Sequence, residues 1–366
     1  MVNFRYVTVL VLLVFNAGVG IGQDSYWYKS FSGTIDKYPV TLYLHKADHG
    51  ISGYYYYNKI QQPFGFSGDD TTIAGKIRLL SSSPDGNSDI ESFTLSFQGD
   101  SLTGEWKKSY TSAAEGLPVK AKINPALTPS FELVFTSGSE KLRPKLAESP
   151  TASYQTSTVW PKGNSIAATT LKKMISEDLG LKNIQSDIGP VLLADKKKFF
   201  ADYVSENKNE PDSELVRFPS GYTLDVSNSI SVLYHSPTIL TLTHFLMSYT
   251  GGAHGNYSTT YICINPATGK PYTLSMILSA AGQEKLNTLL ERKFRKDFKL
   301  SDKDPLTEGG LFDDKIEANT NFCLTGAGIL FTYNPYEIGP YAMGQIDVFI
   351  PYSEFGPSGL NPSFKK

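Results

Sequence analysis

The sequence predicts two parts: a mostly β N-terminal domain, built as a meander, barrel or sandwich, followed by an α+β domain whose antiparallel sheet is covered by helices. Three observations carry this expectation. Between about residues 24 and 140, apolar and polar residues alternate at period two between Gly-rich turns, the pattern of strands with one buried face. Beyond about 165, apolar residues recur at helical spacing among further strand-like runs. Aromatic residues make up 13% of the 366 residues, with 22 Tyr and 21 Phe, which suits sheets and surfaces that bind by aromatic contact.

The first element is a leader. Arg5 precedes an apolar run at 6–15 and then small residues ending at Gly20, Ile21 and Gly22, the order of a secretory signal peptide cleaved before Gln23. The run is shorter than the roughly 20 residues a membrane helix needs, and no later segment is long and apolar enough to span. The expectation is therefore a signal peptide at 1–22 and a mature protein that is secreted or periplasmic. A formal net charge of −2 removes the electrostatic reason to expect nucleic acid or an anionic membrane as partner.

The all-β domain is placed at 23–140 and contains an internal echo. Val40-Thr-Leu-Tyr-Leu44 leads to Ile51-Ser-Gly-Tyr-Tyr55, and Phe93-Thr-Leu-Ser-Phe97 leads to Leu102-Thr-Gly-Glu-Trp106. Both halves read as hairpins, turning at His49-Gly50 and Gly99-Asp100. The Gly before each aromatic marks a bulge or a close backbone approach. In the run Tyr54 to Tyr57, alternate side chains face opposite sides, so two belong to the core and the other two are either structural as well or a candidate sugar-stacking surface.

Residues 137–165 are rich in Ser, Thr, Pro and charge, which places a linker at 141–165. The α+β domain follows at 166–366. Leu171, Met174, Ile175 and Leu179 lie at helical spacing, with Gly180 as the C-terminal cap. A second helix runs from about Leu193 to Asn207 and buries Phe199, Phe200, Tyr203 and Val204. Strands follow at 222–234, 238–249 and 257–264. A third helix, about 279–300, carries Leu286, Leu289, Leu290, Phe294 and Phe298 on one stripe, with a solvated basic face. Strands at 322–333 and 344–351 end the pattern.

Hydrolase and phosphate-binding signatures are missing: there is no Gly-x-Ser-x-Gly, His-Glu-x-x-His, phosphate-binding loop or Cys-x-x-Cys. His45 and His49 flank a turn with Asp48 between them, too little for a metal site. Neither a metal, a cofactor nor a catalytic residue is expected. The two cysteines, Cys263 and Cys323, either pair, which would add about 3–5 kcal/mol on the loop-entropy argument, or remain buried thiols.

Two motifs stand out. One is Tyr249-x-Gly251-Gly252-Ala253-His254-Gly255-Asn256, followed by Thr268-Gly269-Lys270. The other is Phe331-x-Tyr333-x-Pro335-Tyr336-Glu337-Ile338, then Pro340-Tyr341-Ala342-x-Gly344 and a strand ending Val348-x-Ile350-Pro351. Gly251 and Gly252 suit positive φ in a hairpin turn. His254 and Asn256 suit hydrogen bonds to loop carbonyls.

In their order and spacing the motifs resemble the extracytoplasmic domain of RsiV-type anti-sigma factors, also found at the N-terminus of PdaC-type peptidoglycan deacetylases. The resemblance covers about 150–356. It implies a binding or sensing module of the bacterial cell envelope, and the RsiV type recognises lysozyme. This chain shows neither an internal membrane span nor a deacetylase domain, so recognition is the role that carries over. The expected partner is a cell-wall glycan or a lysozyme-like protein. The candidate ligand contacts are Tyr249, Gly251, Gly252, His254, Asn256, Tyr333, Tyr336 and Tyr341. Two rival readings stay open: a wall-acting hydrolase using His254 with an acidic or hydroxyl partner, and a structural envelope protein.

Overall fold

The computed structural model describes residues 26–48, 50–82, 90–124, 127, 129–182 and 187–364; the expected leader and His49 lie outside the described residues. Eight strands follow one another in the N-terminal part: β1 (Tyr26–Ile35), β2 (Tyr38–Ala47), β3 (Gly50–Tyr57), β4 (Phe64–Asp69), β5 (Ile77–Ser82), β6 (Ile90–Gln98), β7 (Ser101–Lys107) and β8 (Leu117–Ile123). Each pairs antiparallel with the next, and β1 pairs with β8, so the meander closes into a barrel. Closure removes the exposed edges that an open sheet would leave. The interior is filled by the inward half of each alternation, including Phe31, Leu42, Leu44, Tyr55, Phe93, Leu95 and Leu102.

The echoed glycines are close approaches rather than bulges. A Cβ on Gly53 would come within 1.8 Å of the Tyr43 carbonyl oxygen, and one on Gly104 within 2.0 Å of that of Thr94. No side chain fits either position. In the tyrosine run, Tyr55 is fully buried in the barrel and Tyr57 packs on the same core. Tyr55 Oη donates to Glu91 Oε2, which also accepts from Trp106 Nε1 at 3.2 Å.

The outward pair, Tyr54 and Tyr56, does not form a sugar-stacking surface. Both pack against the second part of the molecule, Tyr56 with its ring 5.3 Å from that of Tyr234. The same docking explains why β2 is buried on both faces: Val40, Leu42 and Leu44 point into the barrel, while Thr41, Tyr43 and His45 point at its neighbour.

That neighbour is a five-stranded sheet in the order β13-β12-β11-β10-β9. Its strands are β9 (Phe131–Lys141), β10 (Thr151–Pro161), β11 (Leu224–His235), β12 (Leu240–Tyr249) and β13 (Asn256–Ile264). Where the sequence suggests a linker at 141–165, the structure places β10, paired along its whole length with β9. Ser and Thr read as loop residues, but Thr is also a strand former, and Ser157 Oγ finds a partner on the neighbouring strand, donating to Ser229 Oγ at 3.2 Å.

Strands β10 and β11 pair in parallel, the one exception in an otherwise antiparallel sheet. A parallel pair needs a long crossover, and here it holds α1 (Ile166–Asp178), α2 (Gly189–Glu206), α3 (Asp212–Arg217) and α4 (Pro219–Tyr222). Helix α1 is capped by Ser165, whose hydroxyl accepts from Ala168 N, and is followed by Gly180 at φ 68°. On α2, Phe200 and Tyr203 are buried as expected, but Val204 faces solvent.

After β13 come α5 (Leu274–Ile277) and α6 (Ala280–Asp297), the latter burying Leu286, Leu289, Leu290 and Phe294. A three-stranded sheet follows: β14 (Phe322–Leu324), β15 (Gly328–Tyr333) and β16 (Ile346–Pro351). The single strand expected at 322–333 is broken by a tight turn, in which Thr325 Oγ1 accepts from Ala327 N and Gly328 N. Cys263 on β13 and Cys323 on β14 are free and buried, and Leu324 N, next to Cys323, donates to Cys263 Sγ at 3.4 Å. Burial pushes the Cys263 thiol up to about 11 and that of Cys323 well above its ordinary value.

The two parts are joined at a β-bulge. The register of β11 against β12 shifts between Val232 and Tyr234, which frees backbone groups on the side facing the barrel. Barrel side chains take them up. Val232 N donates to His45 Nε2 at 3.0 Å, His235 N donates to Tyr43 Oη at 3.1 Å, and Tyr43 Oη lies 3.1 Å from the His235 carbonyl. Accepting at Nε2 requires His45 to be neutral, and burial lowers its pKa to about 3. His45 is thus an interface cap.

Candidate functional site

The two sequence motifs, about eighty residues apart, meet at one surface. The first forms the turn joining β12 to β13, with Ser248 paired to Asn256 across it. Gly251 and Gly252 adopt φ of 87° and 95°, a region costly for other residues. Gly251 also packs against the backbone of Gly221 at the end of the helical crossover, where a Cβ would come within 2.9 Å of the Gly221 carbonyl oxygen. Tyr249 ties the turn down, its hydroxyl donating to the Gly252 carbonyl at 2.9 Å and to that of Ser220 at 3.2 Å. Asn256 is exposed, and its side-chain oxygen accepts from Tyr257 N.

The second motif wraps over this turn. His254 is exposed, with Nδ1 2.8 Å from the Gly255 carbonyl oxygen and its ring stacked on Tyr341 at 4.1 Å between centroids and 22° between planes. Tyr341 donates to the same Gly255 carbonyl at 2.8 Å. Its ring lies 5.6 Å from Tyr336 and 6.1 Å from Tyr257, and Tyr257 lies 6.0 Å from Phe245. The result is a continuous aromatic rail, Phe245–Tyr257–Tyr341–Tyr336, with His254 laid on Tyr341. Phe245 and Tyr336 are 37% and 53% exposed.

Tyr336 is held against its own preference. Asn334, Pro335, Tyr336 and Glu337 form a turn closed by Glu337 N donating to the Asn334 carbonyl, with Tyr336 at φ 71°. That position in a turn with Pro second favours Gly, and a bulky residue there stores roughly 1 kcal/mol or more of strain. Surrounding bonds impose it. Asn334 N donates to Glu337 Oε2, Tyr336 N donates to the Gly339 carbonyl, and Asn319 Nδ2 donates to Glu337 Oε1.

Tyr333, also expected at the surface, is a core residue at 1% exposure whose hydroxyl donates to the Glu317 carbonyl. Its alternation on β15 turns it to the face opposite Thr332, where its hydroxyl reaches Glu317.

Sequence reasoning missed how the motifs are fastened. β13 is a sheet edge, and Asn334 serves its open side: Thr259 N donates to Asn334 Oδ1 at 2.7 Å, and Asn334 Nδ2 donates back to the Thr259 carbonyl at 3.2 Å. Asn321 Nδ2 donates to the same carbonyl. Gln345 and Asp347 continue the network, with Thr259 Oγ1 donating to Gln345 Oε1 at 2.6 Å. An Asn just before a Pro is a visible turn signal, but its strand partner is not. Phe245 and Tyr257 were also missed, because each reads as an ordinary strand residue. A wide depression of about 620 Å³ lies elsewhere, between β9 and α2, lined by Gly138, Lys196, Phe200 and Val204; the rail is an open surface instead.

The fold and surface define a two-part β-rich protein whose C-terminal part presents an aromatic rail built from two distant segments. Residues 277–353 match a family described as "Protein of unknown function (DUF3298)". A DUF3298 family member from Bacteroides fragilis is similar in structure over 65% of this chain and 96% of that one, with a TM-score of 0.56 and 22% identity, a likeness of fold. A DUF3298 family protein from Pseudomonas aeruginosa aligns over 64% of this chain and 96% of that one, with a TM-score of 0.44 and 15% identity. No curated protein matches the chain. Among the described residues, no helix is long and apolar enough to cross a membrane.

Proposed function

We propose that this is an exported, non-enzymatic binding module of the bacterial cell envelope, which recognises a cell-wall glycan or a wall-active protein such as lysozyme through the rail. The observation that supports it is the strained, half-exposed Tyr336 beside Tyr341 and His254. Folding alone does not reward holding a large aromatic ring in solvent at a glycine-like φ, whereas contact with a ligand does. Rigid aromatic planes suit both the apolar faces of sugar rings and a protein loop. The resemblance to RsiV-type and PdaC-type domains points the same way. His254 fits contact better than catalysis, since its ring nitrogen faces a backbone carbonyl and its ring faces Tyr341.

The test is co-sedimentation of the purified protein with peptidoglycan and capture on immobilised lysozyme, each repeated with Tyr336→Gly and His254→Ala. Binding to one of the two, weakened about tenfold or more by either substitution, supports the reading. Absence of binding to both overturns it, as does turnover of peptidoglycan that disappears in His254→Ala.

A further inference from the structure

The rail borders a larger surface. Residues paired directly across strands share a face of the sheet, and the register puts the odd-numbered residues of β9, β10, β12 and β13, with those of β11 up to the bulge, on the face that meets the barrel. The barrel covers only part of it. β10 is buried at every position from Thr156 on, β11 from Ile230 on, and β12 up to His244. Beyond that line the barrel-side residues are open: on β10, Ala152 and Tyr154 are buried, whereas their neighbours Ser153 and Gln155 are partly exposed.

The uncovered part has aromatic walls and a polar floor. Phe135 of β9, Ser157 of β10, Ser229 of β11 and Phe245 of β12 are paired in one row across the sheet. Phe135 stands at one end against Tyr26 of the barrel, with 6.5 Å between ring centroids and Tyr26 47% exposed. Phe245 stands at the other end, where the rail begins. Three strand spacings separate the two, roughly 14 Å, the span of a short oligosaccharide and not of a single sugar. The next row outward, Ser137, Gln155, Ser227 and Met247, is the floor. Ser157 and Ser229 bond each other, but among the described residues nothing takes up the side chains of Gln155 and Ser227. Neither row carries a charge, and Asp225 lies one row further out. Short hydroxyls leave the floor flat, and each offers one donor and two acceptor sites.

We infer that this trough is the second half of the ligand site, in which an uncharged glycan chain lies across the strands from the rail to Tyr26. Its ring faces rest on Phe245 and on the Tyr26–Phe135 pair, and its hydroxyl or amide groups bond Gln155 and Ser227. This rests on the glycan reading of the rail. Aromatic planes take the apolar faces of sugar rings, and a floor of amide and hydroxyl groups matches a ligand rich in neutral donors and acceptors. A charged peptide segment lying here would leave its charges without partners.

The experiment is calorimetric titration of the protein with the dimer and the hexamer of N-acetylglucosamine, for wild type, Gln155→Ala, Ser227→Arg and Tyr336→Gly, with thermal midpoints showing that each variant is folded. Wild type should bind the hexamer about tenfold or more tighter than the dimer, because only the hexamer reaches from the rail across the floor. That gain is the size expected of one or two added hydrogen bonds with a stacked ring. Ser227→Arg, which lays a long side chain over the floor, and Gln155→Ala should bring the hexamer's affinity down toward that of the dimer and leave the dimer unchanged. Tyr336→Gly should weaken both probes. Equal binding of dimer and hexamer by wild type, or a length preference that survives both floor substitutions, overturns this inference and leaves the glycan reading of the rail intact. Binding of neither probe overturns both, and capture of lysozyme alone then assigns the rail to a protein partner.

Discussion

Two clusters in this molecule are made of the same residue types and behave in opposite ways. At the junction, His45, Tyr43, Tyr56 and Tyr234 are buried between the barrel and β11. On the rail, His254, Tyr341, Tyr336 and Tyr257 stack in the open. The difference lies in the backbone groups each cluster serves. The junction residues complete hydrogen bonds that a bulge has left open, so water is excluded and the histidine is held neutral. The rail histidine meets a carbonyl of its own turn and leaves its ring and neighbours accessible. An aromatic–histidine cluster is glue where it satisfies otherwise orphaned backbone donors, and a contact surface where it does not.

That contrast can be broken most forcefully at the junction. Replacing His45 by Ala leaves the buried Val232 N–H without a partner and opens a cavity. A loss of about 2–4 kcal/mol is expected in denaturant unfolding, and a loss under about 1 kcal/mol would mean that His45 is no cap.

The pH dependence of stability should carry the same signature. His45 has a folded pKa of about 3 against an unfolded value near 6.5. Above pH 6.5 both states are neutral and its contribution is fully present. As pH falls from 6.5 toward 3, only the unfolded chain takes up the proton, and this site removes up to about 1.4 kcal/mol per pH unit. Thermal midpoints followed from pH 7 to 4 should therefore fall less steeply in His45→Gln than in wild type.

Smaller effects are expected on the rail. Tyr336→Gly relieves the positive-φ strain and should leave the protein as stable or more stable, by roughly 0.5–1 kcal/mol, while weakening ligand capture. Destabilisation instead would show that the ring is structural. His254→Ala should change stability by no more than about 0.5 kcal/mol, read as an unchanged thermal midpoint. A larger shift would place His254 with His45 as part of the framework.

Much of this architecture was legible in residue order. Period-two alternation located the barrel strands, and the echo around Gly53 and Gly104 marked where backbones touch. Gly180 and the Leu286–Phe294 stripe framed two helices, and Gly251-Gly252 announced a hairpin turn. The segment at 141–165 was misread because Ser and Thr serve both loops and strands, and only pairing with β9 and β11 makes β10 a strand. Tyr333 was grouped with the other tyrosines of its motif as a ligand contact, whereas one step of alternation sends it to the core.

The sequence by itself determined the local grammar: which segments alternate, where chains turn, and that two motifs rich in Gly, Pro and Tyr are special. These follow from φ preferences and side-chain periodicity, which act over a few residues. Only the tertiary structure decided that His45 caps a bulge nearly two hundred residues away and that Asn334 fastens the second motif to the edge of β13. Such assignments depend on desolvation and on partners for individual backbone groups, and these exist only once distant strands have been brought together.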